Sequence, residues 1–307
     1  MRTVVVGLGV QGVKRLSIAG EDIVATVDPA VSTARYRTLE QVPVDTYDAA
    51  LVCTPDSIKL EMLTYLLAHG KHVLVEKPLL VSDNEQIHQL IDTAGATGAA
   101  CYTAYNHRFE PHIVGIKRLL DDGVLGKVYV ARFFYGNGTA QDIKSSPWRD
   151  DGLGILGDLG SHLLDMALFL FGPGRDTFEA WSTNRFETRS FDHVLFGSHG
   201  TPLMELEVTC LSWKNTFSID LWGELGSAHI SGLCKWGPST LTVRNRVFPS
   251  GVPAEETETL NCADPTWALE YEYFKSVCET GETNLENDLW INSTLSGIAQ
   301  TAEVKLS

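Results

Sequence analysis

Short, unbroken apolar runs recur through the first third of the chain. Thr3–Val6, Ile23–Val27 and residues 49–53, 71–75 and 100–104 are four or five residues long and rich in apolar side chains, as strands buried on both faces require. Helical stretches lie between and after them, through Leu16 to about Ala19, then at 60–68, 83–96 and 110–120. Strand alternating with helix predicts an α/β fold built on a doubly wound parallel sheet of Rossmann type. After Asp122-Gly123 the rhythm changes. Residues 127–135 read as a strand, and beyond Gly174 most of the chain alternates with period two. Met204, Leu206, Val208 and Cys210 face one way, against Leu203, Glu205, Glu207 and Thr209; residues 217–221 and 241–243 continue the pattern. That predicts a second, α+β domain with a large, open, mainly antiparallel sheet covering a core on one face. The domains are placed at 1–121 and 122–307, with two helices, Thr266–Thr280 and 285–304, closing the chain.

One segment breaks this pattern. Residues 163–171 form a greasy helix stopped by Gly172-Pro173. Directly before it stands Gly157-Asp158-Leu159-Gly160-Ser161-His162, and Asp165 lies within it. At about 100° per residue, Asp158, His162 and Asp165 fall within roughly 60° of one another. Two carboxylates and an imidazole on one buried stripe must line a cavity or bond one another. The plainer reading is a helix capped by Asp158 with His162 as a satisfied core histidine.

Charge narrows the partners. A net charge of −15 and a pI near 5.0 argue against a nucleic-acid or anionic-membrane surface. The six cysteines are scattered, without zinc-type spacing, and imply reduced thiols and no metal site. A first strand at Thr3 predicts no cleaved leader and, with no apolar run of membrane length, a cytoplasmic protein.

Candidate chemistry clusters where the predicted parallel strands end. The first strand runs into Gly7-Leu8-Gly9-Val10-Gln11-Gly12, the G-x-G-x-x-G turn of a dinucleotide site. Gly7 permits the turn, Gly9 admits a pyrophosphate and Gly12 lets the helix pack close; N–H groups at the helix start, near Val10 and Gln11, would hold the phosphates. The second strand ends in Asp28, at the distance expected for a ribose-binding acid. A carboxylate there favours NAD over NADP, although Arg35 and Arg37 keep NADP open. Thr54-Pro55-Asp56 and Glu76-Lys77-Pro78 occupy later strand ends, with Lys77-Pro78 a candidate cis peptide. Tyr105-Asn106-His107-Arg108-Phe109 follows the fifth strand, and His107 competes with His162 as a base.

These motifs, together with Trp148-Arg149 and Asp158-x-Gly160-x-His162-x-x-Asp165, resemble the glucose–fructose oxidoreductase / inositol dehydrogenase (Gfo/Idh/MocA) family over essentially the whole chain. The resemblance implies nicotinamide-dependent oxidation or reduction of a sugar or cyclitol carbon–hydroxyl. It also implies a homodimer or homotetramer formed through the C-terminal sheet. Carried over by position, Lys77 is the catalytic lysine, Asp158 holds the substrate hydroxyl and His162 accepts its proton. Thr54 and Pro55 join the glycine turn and Asp28 around the cofactor. Glu76 and Asn106 contact its nicotinamide ribose region, while Tyr105, Arg108 and Arg149 complete the substrate contacts. Its likeness to members acting on nucleotide sugars further implies oxidation at C3 of a UDP-linked N-acetyl amino sugar, ahead of transamination in lipopolysaccharide synthesis. A free sugar or inositol dehydrogenase is the alternative within enzymes, and a non-catalytic dinucleotide-binding regulator the alternative outside them. Two positions depart from the family pattern: Lys59 stands where a histidine is frequent, and Leu153 interrupts a triple glycine. Trp213, Trp222 and Trp236 are many aromatics for one sheet, and an oligomer interface on its open face is expected to use them.

Overall fold

The computed structural model describes residues 1–147, 149–174 and 177–306, so Trp148 of the motif set lies outside the described residues. The chain divides into two compact units, one of Met1–Asn106 with Thr266–Asn292, the other of His107–Pro265 with the chain from Ser293 onward.

The first unit holds a parallel sheet of β1 (Thr3–Val6), β2 (Ile23–Val27), β3 (Ala49–Val52), β4 (His72–Glu76) and β5 (Cys101–Ala104), in the order β2-β1-β3-β4-β5. Helices α1 (Val10–Ala19), α2 (Asp56–Ala68) and α3 (Glu85–Thr97) connect the strands. Strands β1, β3 and β5 are buried at every position because core lies on both faces, which is why they read as apolar runs. Strand order reverses between β1 and β3, so the loops at their carboxyl ends diverge there and leave the crevice in which doubly wound sheets bind ligands.

The second unit opens with α4 (Pro111–Asp121) and contains an eight-stranded sheet: β6 (Val128–Gly136), β7 (Glu179–Asn184), β8 (His193–Ser198), β9 (Leu203–Thr209), β10 (Thr216–Gly223), β11 (Gly226–Ser231), β12 (Ser239–Asn245) and β13 (Glu255–Leu260). The order is β13-β12-β11-β10-β6-β9-β8-β7, antiparallel except for the parallel β6/β9 pair. Registers Leu221↔Ala131, Ile219↔Phe133 and Phe217↔Tyr135 put alternate residues on the buried face. The opposite face carries Trp222, Arg132 and Asp220. Short α5 (Ala140–Lys144) precedes the buried α6 (Ser161–Phe171), whose chain turns at Gly172 with φ 76°. Helices α7 (Thr266–Thr280) and α8 (Leu285–Leu306) come last in the chain; α7 and the start of α8, to Asn292, belong to the first unit.

The expected helix around Asp158 differs in one respect. Leu156–Gly160 is a single π-helical turn running into α6, so the 100° step behind the predicted stripe holds only from Ser161 onward. His162 and Asp165 keep that spacing, and Asp158, within the π-turn, departs from it. Among the described residues, no helix is long and apolar enough to cross a membrane.

Candidate functional site

In the first unit, two glycines of the turn are dictated by packing and the third faces open space. A Cβ on Gly12 would lie 1.8 Å from the carbonyl oxygen of Gly7. At Gly7, where φ is 88°, it would lie 2.5 Å from that of Cys53. A Cβ on Gly9 would meet nothing within 4 Å. The α1 backbone can therefore be approached closely at Gly9, with Val10 and Gln11 exposed beside it. Across the β1/β3 reversal, the buried Thr54 hydroxyl oxygen has no hydrogen-bond partner among the described residues. An open glycine backbone, a helix N-terminus and an unsatisfied hydroxyl suit a dinucleotide diphosphate.

Asp28 closes the same corner. Its carboxylate accepts from the backbone N–H of Leu8 at 2.8 Å, Ala30 at 2.8 Å and Val31 at 2.9 Å. The Leu8 N–H is the main cause holding its carboxyl below the ordinary carboxylate range, against the opposing effect of burial. Arg37 donates to the Val31 carbonyl at 2.9 Å, and Arg35 to that of Val24 at 3.2 Å. Both arginines are thus tied to local backbone.

Glu76-Lys77-Pro78 leaves the end of β4, and the Lys77-Pro78 peptide is cis. Arg15, 1% exposed on α1, donates through Nε to Glu76 Oε1 at 2.7 Å and through Nη2 to Glu270 Oε2 at 2.6 Å. The lysine where a histidine is frequent, Lys59, is buried and donates to the Pro78 carbonyl at 2.8 Å. Lys77 itself is half-buried. Asn106 is buried and donates to Thr266 Oγ1 at 2.6 Å, while Tyr105 sits in the interior of the unit.

In the second unit, α6 presents His162, 5% exposed, against His107, with ring centroids 4.1 Å apart at 25°. The two competing bases are therefore neighbours. Lys235 Nζ lies 3.0 Å from His107 Nε2 and donates to Tyr135 Oη at 3.0 Å. An ammonium only donates, so His107 Nε2 accepts and its proton resides on Nδ1. Lys235 rides on the helical turn Cys234–Trp236, whose first N–H donates to the buried Glu110 at 3.0 Å. Burial raises the Tyr135 phenol well above its ordinary pKa, and the nearby negative charge of Asp158 adds to this. The His107 and Tyr135 rings thus both lie against His162, and the charge of Asp158 acts on the Tyr135 phenol.

Arg108 does not point to open solvent. Its Nε and Nη2 grip Asp165 at 2.6–3.0 Å, which ties α6 to the segment after β5. Burial raises the Asp165 carboxyl above its ordinary pKa, with Arg108 opposing. Arg149 is half-buried, and its charge acts on the Cys210 thiol. Trp236 packs against Tyr135 and under Lys235, whereas Trp213 and Trp222 are exposed.

Sequence reasoning missed Arg15, Lys59, Tyr135 and Lys235. Lys59 alone carried a signal, its departure from the family pattern.

Residues 1–105 match the model of an oxidoreductase family with an NAD-binding Rossmann fold, GFO_IDH_MocA, and residues 113–229 match the GFO/IDH/MocA C-terminal domain. Among curated relatives, glucose-6-phosphate 3-dehydrogenase of Bacillus subtilis is 31% identical over 42% of this chain and 38% of its own length. Inositol 2-dehydrogenase of Rhizobium meliloti is 29% identical over 41% of this chain and 37% of its own. The chain thus matches less than half the length of either. An Azotobacter vinelandii inositol dehydrogenase homolog, solved with NADH and myo-inositol, shares the fold at TM-score 0.80 and 17% identity, covering 99% of this chain and 96% of that one.

Proposed function

We propose that this chain, which belongs to the Gfo/Idh/MocA oxidoreductase family, is an NAD-dependent dehydrogenase acting on a secondary ring hydroxyl of a sugar or cyclic polyol. One observation carries the proposal: a buried helical imidazole, His162, stacked on a second imidazole, His107, whose Nε2 meets Lys235 at 3.0 Å. An imidazole shielded from water suits removal of a hydroxyl proton. When bound, NAD supplies the acceptor for the hydride that leaves the carbinol carbon. Gly7, Gly9, Gly12 and the N–H groups of Val10 and Gln11 hold its diphosphate, with Thr54 and Pro55 alongside. Asp28 takes the adenosine ribose hydroxyls and repels a 2′-phosphate, so NAD is preferred.

Lys77 offers positive charge to the developing alkoxide, His162 accepts the hydroxyl proton, and Asp158 orients the hydroxyl. Tyr105, Arg108 and Arg149 shape the substrate side; the support for Arg108 is indirect, since its grip on Asp165 fixes the helix that carries His162. Glu76 and Asn106 border the nicotinamide ribose from positions fixed by Arg15 and Thr266. The Bacillus relative named for C3 of glucose 6-phosphate supports oxidation at a ring carbon. The narrower reading, C3 of a UDP-linked N-acetyl amino sugar, rests on the motif resemblance.

The test is a screen for NADH formation with myo-inositol, glucose 6-phosphate, levoglucosan, free hexoses and UDP-N-acetylglucosamine. Turnover with one of them, lost about a hundredfold in Lys77→Ala and His162→Ala while NADH still binds, is the expected result. Tight NAD binding without turnover of any substrate favours the regulator instead.

A further inference from the structure

We propose that Lys59 and Arg15 are positioning residues for Lys77, two buried cations that brace the chain on either side of it. The proposal rests on the reading of Lys77 as the group that acts on the substrate hydroxyl.

Each cation occupies a place where helical spacing calls for an apolar side chain. On α2 the buried residues are Lys59, Leu63, Leu66 and Leu67, a core-facing stripe at i, i+4, i+7 and i+8. On α1 they are Gly12, Arg15 and Ala19. Two separate helices thus turn one cation inward each, and both reach the same three-residue turn. Arg15 holds the Glu76 carboxylate at 2.7 Å, just before Lys77. Lys59, 3% exposed, holds the Pro78 carbonyl at 2.8 Å, just after it, and is itself steadied by Asp56 at 2.6 Å.

Burying a lysine is unfavourable, and well-packed apolar residues often replace buried ions without loss of stability. What an apolar side chain at position 59 could not do is fix the direction of the Pro78 carbonyl. With that carbonyl and the Glu76 carboxylate both held, the backbone flanking Lys77 is set and its ammonium has a defined reach. A functional amine needs such support because displacement of about 1 Å can reduce rate a hundredfold.

The test is Lys59→Met in the full chain; Asp56, left behind, is already exposed. Hydrogen exchange read by mass spectrometry should speed up at least about tenfold in the peptide spanning residues 76–81 and stay unchanged at the glycine turn. With the substrate found in the screen, kcat per NADH-binding site should fall about tenfold or more, NADH affinity should hold, and the isotope effect from a deuterated carbinol carbon should rise. A merely structural loss would lower the number of binding sites and leave that isotope effect alone. Unchanged exchange over 76–81 overturns the brace, whether or not a substrate is known. Normal kcat in Lys59→Met beside a collapsed Lys77→Met overturns the brace alone, and full kcat in Lys77→Met overturns the reading on which it rests.

Discussion

Replacing Arg15 by methionine should be among the most damaging single changes to the first unit. The guanidinium bonds Glu76 and Glu270 at 2.7 and 2.6 Å and lies 4.2 Å from the Trp267 ring centre. Burial works against its charge, yet Glu270 and Glu76 more than offset this and hold its proton above the ordinary arginine value. Methionine fills much of the volume but removes the guanidinium that two interior carboxylates share. Breaking a buried ion pair from one side costs about 3–5 kcal/mol, on the order of 10 °C in Tm for a unit of this size.

The loss should depend on pH in a defined sense. A stranded interior carboxyl has its folded pKa raised above the unfolded value, about 4.3 for glutamate. The variant's deficit is then smallest below that value and grows as pH rises through the raised folded pKa. Urea unfolding followed by tryptophan fluorescence at pH 5 and pH 8 reads this out. The expected order at pH 8 is wild type, then Arg15→Met/Glu76→Gln/Glu270→Gln, then Arg15→Met. A single variant within about 1 kcal/mol of wild type at pH 8, or a triple variant no more stable than the single, refutes the reasoning.

Three further outcomes follow from the same geometry. Asp28→Asn should erode the preference for NAD over NADP about tenfold in the ratio of dissociation constants. Because backbone donors lower the Asp28 pKa, its stabilising effect is full above the unfolded value near 3.9 and fades as pH falls through the folded one. An Asp28-dependent change in NADH affinity between pH 5 and 7 would contradict this. Nitrogen-15 NMR should find His107 protonated on Nδ1, and Lys235→Met should release it into a tautomer mixture; an Nε2–H in the wild type refutes the assignment. We propose self-association through the open face of the eight-stranded sheet, so sedimentation at micromolar concentration should show a dimer or tetramer that Trp222→Lys disrupts. A monomer throughout rules that out.

The fold was legible because its signals are local. A strand covered on both faces must be apolar at nearly every position, as β1 and β3 are, and a strand covered on one face must alternate, as β9 does. The glycine turn was legible because packing admits no side chain at Gly7 or Gly12. What stayed hidden is the destination of long polar side chains. Arg15 reads as one more polar residue on a short helix, yet its partners lie 61 and 255 residues away. Lys235 sits in a brief turn without periodicity, and its partners lie 128 and 100 residues away. Asp165 stood in one predicted stripe with Asp158 and His162, yet the partner that grips it is Arg108, 57 residues earlier. No spacing rule announces such pairs, because they form only once separate elements pack.

Those hidden side chains share a logic. The chain has 24 lysines and arginines against 39 acids, so solubility does not require every cation at the surface. Arg15, Lys59, Arg108 and Lys235 all engage acceptors within their own unit. Arg15 and Lys59 act on the residues beside Lys77; Arg108 acts on the helix of His162, and Lys235 on the imidazole against which His162 stacks. Each gives up hydration, a cost that core stability alone does not require. The common return is orientation of a neighbour that must keep one protonation state and one position. On this argument the inward cations, more than the acids and imidazoles named by motif, make each unit's functional groups specific in geometry. Substituting any one of them should therefore disturb its own neighbour, and at Arg15 the stability of the first unit as well.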